Sequence, residues 1–308
     1  MLGAIIGDIV GSIYEVEEIE RRMKHEEIDV LKRRKVLNKR TQLFRPECTY
    51  TDDTVLTCAI ADAILNEAYF TDEFEEYLRS YGNKELELGL DKFGRSRFSP
   101  GFTNWLLGKN FVNSCGNGCA MRISSIPMFY DNINKITAIS NNATYTTHCH
   151  NESIEAVNAV CLAIFYAKQG KSKEYIKQQI ENKTSYKLDF NLSKLQETYE
   201  FSSKAKDTVP QAIFCFLKSR NFEDAIRKAI SIGGDSDTIA SITGAIAENY
   251  YGIPLELKNQ ALKYLPDETT ELLVEFYSTL YKKEEKSNQS YINCKSKKRV
   301  KTYYGRNN

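Results

Sequence analysis

The stretch Ser231–Ile246, SIGGDSDTIASITGAI, limits what this chain can become more than any other. Gly233 and Gly234 permit backbone conformations closed to other residues. Asp235, Ser236 and Asp237 follow where a helix begins, and small and apolar residues continue it. One acid is enough to cap a helix start and to suit its dipole. Asp235, Asp237 and Thr238 together offer five hard oxygens within four residues. Such a set suits Mg²⁺ or Mn²⁺.

A second stretch has the same character. Tyr50–Leu65 reads YTDDTVLTCAIADAIL, with Thr51, Asp52, Asp53 and Thr54 directly before an apolar helical run. Two oxygen clusters on two distant helix starts suggest that the starts face one another. Two cations bridged by shared carboxylates would explain why each carries more acid than a cap requires.

Residues 2–15, LGAIIGDIVGSIYE, place Gly3, Gly7 and Gly11 four apart on one helix face, which permits close packing against a neighbour. Asp8 and Glu15, seven residues apart, share about one face. They read either as a solvated face or as acids held inward beside Thr51–Asp53.

The rest of the pattern is helical. Apolar residues recur at helical spacing over 52–68, 153–169, 208–218 and 236–251, with shorter helices at 72–81, 135–142, 173–181, 193–200, 222–231, 255–264 and 267–282. No alternating strand pattern of useful length appears, so the class is all-α. Pro210 falls near a first turn, where proline is tolerated. Residues 17–45 are charge-rich and read as a solvated insertion, with a short helix over 24–35. Residues 282–308 hold nine Lys or Arg against two Glu and read as a basic flexible tail from 283.

Charge and cysteines exclude several classes. The net charge of +1 carries no overall nucleic-acid signal; weak contact through the basic tail is the exception left open. The eight cysteines form no C-x-x-C pair, which argues against a zinc ribbon or a thioredoxin-type site. Cys58, Cys161 and Cys215 read as small core residues. The N-terminus lacks the basic region of a signal peptide, and no apolar run reaches membrane-spanning length. A cytoplasmic, reduced, monomeric protein with no membrane partner is expected.

Asn113–Pro127, NSCGNGCAMRISSIP, contains a Gly116-Asn117-Gly118 loop whose backbone can approach a ligand closely and offer N–H groups to phosphate. It also reads as a tight turn. Thr146–Glu152, TTHCHNE, precedes a long helix. His148 and His150, two apart, diverge in any regular element. His148 reads as a donor to a phosphate or sugar oxygen, or as a structural cap.

With TDDT, GNG-x-AMR, TH-x-H and GGDSDT placed in that order, the chain resembles the ADP-ribosylglycohydrolase family from about residue 2 to 282. The resemblance implies a compact, single-domain, orthogonal bundle of helices with two divalent cations, Mg²⁺ or Mn²⁺, at the base of an ADP-ribose cleft. It implies hydrolysis of the bond between ribose C1″ and an acceptor on a protein or a small conjugate. Carried over by motif, Thr51, Asp52, Asp53, Asp235, Asp237 and Thr238 look like metal ligands. Glu15 looks like the glutamate beside the metals, and Glu15, Asp52 and Asp53 the carboxylates that orient or deprotonate the attacking water. Ser114, Cys115, Gly116, Asn117 and Gly118 look like the diphosphate and distal-ribose loop, and His148 like the histidine of the cleft. Cys115 departs from the aromatic residue common there, and 204–208, KAKDT, from a Gly-containing stretch near the adenosine end. A non-catalytic ADP-ribose-binding or structural family member and a metal-dependent phosphohydrolase are the alternatives.

Overall fold

A computed structural model describes residues 1–91, 94–109 and 113–304, with side chains described to residue 286. In chain order the helices are α1 (Leu2–Met23), α2 (Val30–Lys35), α3 (Asp52–Leu65), α4 (Thr71–Leu88), α5 (Pro100–Leu106), α6 (Gly118–Met121), α7 (Ser125–Phe129) and α8 (Ile133–Tyr145). They continue as α9 (Asn151–Lys168), α10 (Lys173–Lys183), α11 (Leu192–Thr198), α12 (Ala205–Leu217), α13 (Phe222–Ser231), α14 (Ser236–Tyr251), α15 (Leu255–Ala261) and α16 (Asp267–Tyr304). A 3₁₀ turn, Leu262–Tyr264, follows α15. The described residues contain no strand, only isolated bridges between Asn113 and His148 and between Gly116 and Lys204. The all-α class holds.

Helix α14 is the centre. It is buried without interruption from Ser236 to Ala247, as a helix of small and apolar residues on every face must be. Helices α1, α9, α12 and α13 pack around it. The glycines of α1 set the closest of these contacts. A Cβ at Gly3 would fall on the Gly244 carbonyl, one at Gly7 on the Ala240 carbonyl, and one at Gly11 on the backbone of Asp237. The glycine stripe therefore lets two backbones touch, and it lays the acids of α1 beside the start of α14. Ile5, Ile6, Ile9 and Val10 fill the space on either side and are fully buried.

The charged stretch 17–45 is not a solvated loop throughout. Helix α1 runs on to Met23, and α2 is shorter than the helix expected over 24–35. Arg33 turns inward, its Nε and Nη2 bonding Glu18 Oε1 at 3.1 and 2.7 Å and its Nη1 the Gln196 carbonyl at 3.1 Å. From the other side Arg227, also buried, donates from Nη1 to the Val36 and Asn38 carbonyls at 2.8 and 3.2 Å. Charge runs mark a surface on average, but these two arginines are neutralised and fully bonded.

One further correction is local. Helix α12 begins at Ala205, so Pro210 lies in its second turn rather than its first. Met1–Pro266 form one compact unit and a second begins at Asp267. Helix α16 runs across residue 282 to Tyr304, into the stretch expected as a basic flexible tail. The reason is local: residues 267–304 contain neither glycine nor proline. Residues 305–308 of that tail lie outside the described residues.

Candidate active site

Asp8 organises the start of α3. This carboxylate is fully buried and accepts from Thr51 N at 3.0 Å, Thr51 Oγ1 at 2.7 Å and Thr54 N at 3.1 Å, and also from the Thr54 hydroxyl. It shares the capping with Thr51, the N-cap residue of α3, whose Oγ1 accepts from Asp53 N at 3.3 Å. Asp52 and Asp53, in the first turn of α3, are released from that task. Asp8 is thus one of the inward acids expected on α1, in a role the sequence does not show.

The start of α14 is built differently. Gly233 and Gly234 hold φ of +74° and +73°, and this turn aims Asp235 and Asp237 inward. A Cβ at Gly233 would strike the Arg33 guanidinium, and one at Gly234 the Tyr199 ring. Asp235 occupies the N-cap position yet makes no side-chain cap bond. Its Oδ2 accepts instead from Asn117 Nδ2 at 2.7 Å. Ser236 Oγ donates to the Gly234 carbonyl at 3.2 Å, so it does not cap either.

The two starts do face one another. Thr238 Oγ1 donates to Asp53 Oδ2 at 3.1 Å. Glu15, Asp235 and Asp237 each present an oxygen within 4.8 Å of the others. Asp53 Oδ1 is buried with no hydrogen-bond partner. Burial raises the pKa of Asp52, Asp53, Asp237 and Glu15 well above the ordinary carboxylate range, and the charges of neighbouring acids add to it. Asp235 is raised by burial as well, against hydrogen bonds that favour its charged form. Asp8 is pushed up to about 7 by burial and by Asp237, although the bonds from Thr51 and Thr54 pull the other way. So many acids in one dry pocket repel, and a cation among them removes the repulsion. The hard-oxygen donors and the orphaned Asp53 oxygen fit a divalent ion of the Mg²⁺ or Mn²⁺ type.

Glu15, Asp52, Asp53, Asp235 and Asp237 line part of a cleft of about 770 Å³. The Ser114–Gly118 loop and His148 form another part of its wall, and Phe98, Phe102 and Trp105 a third. Ser114, Gly116, Asn117, Gly118 and His148 border the cleft as expected; Cys115 does not, and its carbonyl accepts from Ala205 N at 3.0 Å. Two N–H groups expected to meet phosphate are used within the protein. Gly116 N–H donates to Ser114 Oγ at 3.0 Å and Asn117 N–H to the Ser203 carbonyl at 2.9 Å. Gly118 and Cys119, the first residues of α6, carry the loop's remaining N–H groups. A Cβ at Gly118 would meet only the His148 ring, at 3.6 Å, an ordinary contact. Neither a strained backbone nor a crowded protein neighbour demands glycine there.

The two histidines separate. His150 is the N-cap of α9, its ring accepting from Glu152 N at 3.2 Å. His148 is buried, and desolvation with the nearby Arg122 charge lowers its pKa to about 3. Arg122 and Thr147 also line the cleft and were not singled out from the sequence. A lone arginine in the apolar run CAMRISSIP is a signal that it must be buried with partners.

Residues 1–289 match the family profile of the ADP-ribosylglycohydrolases. The ADP-ribosylhydrolase ARH3 of Homo sapiens is 26% identical over 323 residues, covering 82% of this chain and 84% of the relative. The ADP-ribosylarginine hydrolase Tri1 of Serratia proteamaculans is 23% identical over 224 residues, covering 66% of this chain and 60% of the relative. A solved structure described as an ADP-ribosylglycohydrolase-related protein complex superposes with a TM-score of 0.57 at 22% identity, over 90% of this chain and 95% of that one. The chain belongs to the ADP-ribosylglycohydrolase family and is a hydrolase of glycosidic bonds to ADP-ribose.

Proposed function

We propose that this ADP-ribosylglycohydrolase releases ADP-ribose from a modified protein side chain or small conjugate at a site for two divalent cations, Mg²⁺ or Mn²⁺, between the starts of α3 and α14. The observation that carries the reading is the convergence of Glu15, Asp235 and Asp237 within 4.8 Å beside the unpartnered Asp53 Oδ1. Thr51, Asp52, Asp53, Asp235, Asp237 and Thr238 would hold the ions. When bound, they supply positive charge to the reacting centre and lower the pKa of water.

The protein's own groups do the rest. Thr238 fixes the Asp53 carboxylate and Asn117 fixes that of Asp235, so both approach the reacting centre in set orientations. One of Glu15, Asp52 and Asp53 takes the proton of the attacking water and the others orient it, as carboxylates do at an oxocarbenium-like ribose centre. The Ser114–Gly118 loop and His148 hold the diphosphate and distal ribose.

The test has two readouts. Metal analysis of the double variant Asp235→Ala/Asp237→Ala should show lost stoichiometry; unchanged metal content refutes the metal site. A hydrolysis panel of ADP-ribosyl-arginine, ADP-ribosyl-serine and ADP-ribosylated DNA should yield free ADP-ribose from at least one substrate. Released phosphate without ADP-ribose would make the protein a phosphohydrolase. Gly118→Val should weaken ADP-ribose binding while leaving the metal in place.

A further inference from the structure

Arg122 is almost wholly enclosed, and its Nε and Nη1 have no hydrogen-bond partner. A buried cation with two unbonded nitrogens is costly, so its remaining contacts need a reason. Its Nη2 donates to Thr147 Oγ1 at 2.8 Å and to Thr146 Oγ1 at 3.3 Å. Thr147 Oγ1 in turn lies 2.6 Å from His148 Nδ1. On the reading that His148 faces bound ADP-ribose, we infer that Arg122 and Thr147 are positioning residues that fix the tautomer of His148, with the proton on Nε2.

The argument is a count of protons. A guanidinium only donates, and a hydroxyl owns a single proton. Thr147 Oγ1 accepts from Arg122, so its own proton is free to go to His148 Nδ1, which must then be the accepting nitrogen. In the opposite tautomer Nδ1–H and the guanidinium N–H would both aim at the Thr147 oxygen. The Thr147 proton would then be buried without an acceptor, because among the described residues this hydroxyl has no third partner. That arrangement is disfavoured by the desolvation of an unmade bond. The Arg122 charge stands on the same side of the ring and opposes a proton at Nδ1 for a second reason. Burial and that charge keep the ring neutral through the physiological range.

The other nitrogen faces the ligand loop. Nε2 lies 3.6 Å from the Cβ position of Gly116 and 3.7 Å from that of Gly118. Its N–H is a fixed, uncharged donor at the cleft wall, suited to a diphosphate or ribose oxygen and insensitive to pH. Arg122 thus acts on the ligand through two hydrogen bonds. Orientation of a ring nitrogen by a bond to the other is a familiar way to set which one donates.

The full chain, free of ligand and labelled with ¹⁵N, tests this directly. Its three histidines are His25, His148 and His150, and the His148 signals are those missing from His148→Asn. Two-bond proton–nitrogen spectra should show a bare Nδ1 and a protonated Nε2 for His148, unchanged between about pH 5 and 8. A wild-type ring protonated at Nδ1 overturns the inference whatever the protein binds. Thr147→Val keeps the shape and removes the hydroxyl; it should mix the tautomers and weaken ADP-ribose binding by about 10-fold, roughly the worth of one buried hydrogen bond. Thr147→Ser should restore both. A Thr147→Val protein with the wild-type tautomer pattern also overturns it. If the wild-type tautomer is as stated and ADP-ribose does not bind at all, the reading of the cleft fails while the proton assignment stands.

Discussion

The starts of α3 and α14 look alike in sequence, each with threonine and two acids before an apolar run, yet they are stabilised in opposite ways. At α3 an acid from another helix, Asp8, meets two backbone N–H groups and two hydroxyls. At α14 the N-cap residue Asp235 makes no cap bond, and only Asp237 Oδ1 accepts locally, from Thr238 N at 2.9 Å; a left-handed Gly233–Gly234 turn, closed by Arg33 and Tyr199, shapes the entry. An acid at a helix start is available for chemistry only when something else has taken over the cap. At α3 a distant hydrogen bonder meets that condition for Asp52 and Asp53; at α14 backbone geometry meets it for Asp235, while Asp237 keeps one oxygen on Thr238 N and leaves the other out of the cap.

The largest expected effect tests what the freed acids are for. Asp237→Asn keeps the side-chain volume and removes a charge. Single-turnover release of ADP-ribose should fall on the order of 100-fold or more, while ADP-ribose still binds. Full activity of this variant in metal-free buffer would reduce the α14 start to a structural feature. Glu15→Gln should slow the same step and leave metal binding intact.

The next contrast separates a cap from a ligand. In metal-free protein Asp8→Ala strips the α3 start of its acceptor and should lower unfolding free energy by about 3 kcal/mol in a denaturant titration. Asp235→Ala removes one charge from a crowd of like charges and should raise the stability of the same metal-free protein. The reverse order would erase the distinction between the two starts. The backbone device has a smaller, purely conformational test. Gly234→Ala forces a side chain to φ +73° against the Tyr199 ring and should lower stability by about 1–3 kcal/mol. Thr51→Ala at the other start should lose about 1 kcal/mol. Equal losses would mean that the glycine turn is not what holds the α14 entry.

The last contrast is a slope with pH. The folded-state pKa of Asp8 is about 7 and its ordinary value 3.8, so the folded protein holds this proton after the unfolded chain has lost it. Through Asp8, stability of the metal-free protein should therefore decline as pH rises from about 4 to about 7, because the native state binds more protons in that window. The other raised acids add to the same sign. Added Mg²⁺ or Mn²⁺ should flatten the slope. Thermal unfolding with and without chelator gives the comparison, and a metal-free stability that climbs over this range would contradict the electrostatic picture.

The helices were mostly legible because their signal is local. Apolar spacing in α3, α9 and α14 repeats within a few residues, and α14 begins and ends where the pattern says. The short helices α5, α6 and α7 were not foreseen, although α11 and α15, no longer than α5, were. The glycine stripe of α1 announced a close contact, but not that its partner would be the backbone of Gly244, Ala240 and Asp237.

What the sequence determined by itself was chemical inventory at short range: helical periods, a glycine face, two oxygen-rich helix starts, and a glycine loop ahead of a histidine. What only the tertiary structure decided was the assignment of partners. Asp8 serves residues 43 and 46 positions away, Asn117 reaches Asp235 across 118, and Arg33 seals a turn made two hundred residues later. A hydrogen bond between docked elements depends on where the elements meet, and that meeting leaves no periodic trace in either segment. The acids at both helix starts could therefore be read as chemistry in waiting. The release of Asp52, Asp53 and Asp235 from capping became visible only once the helices were packed.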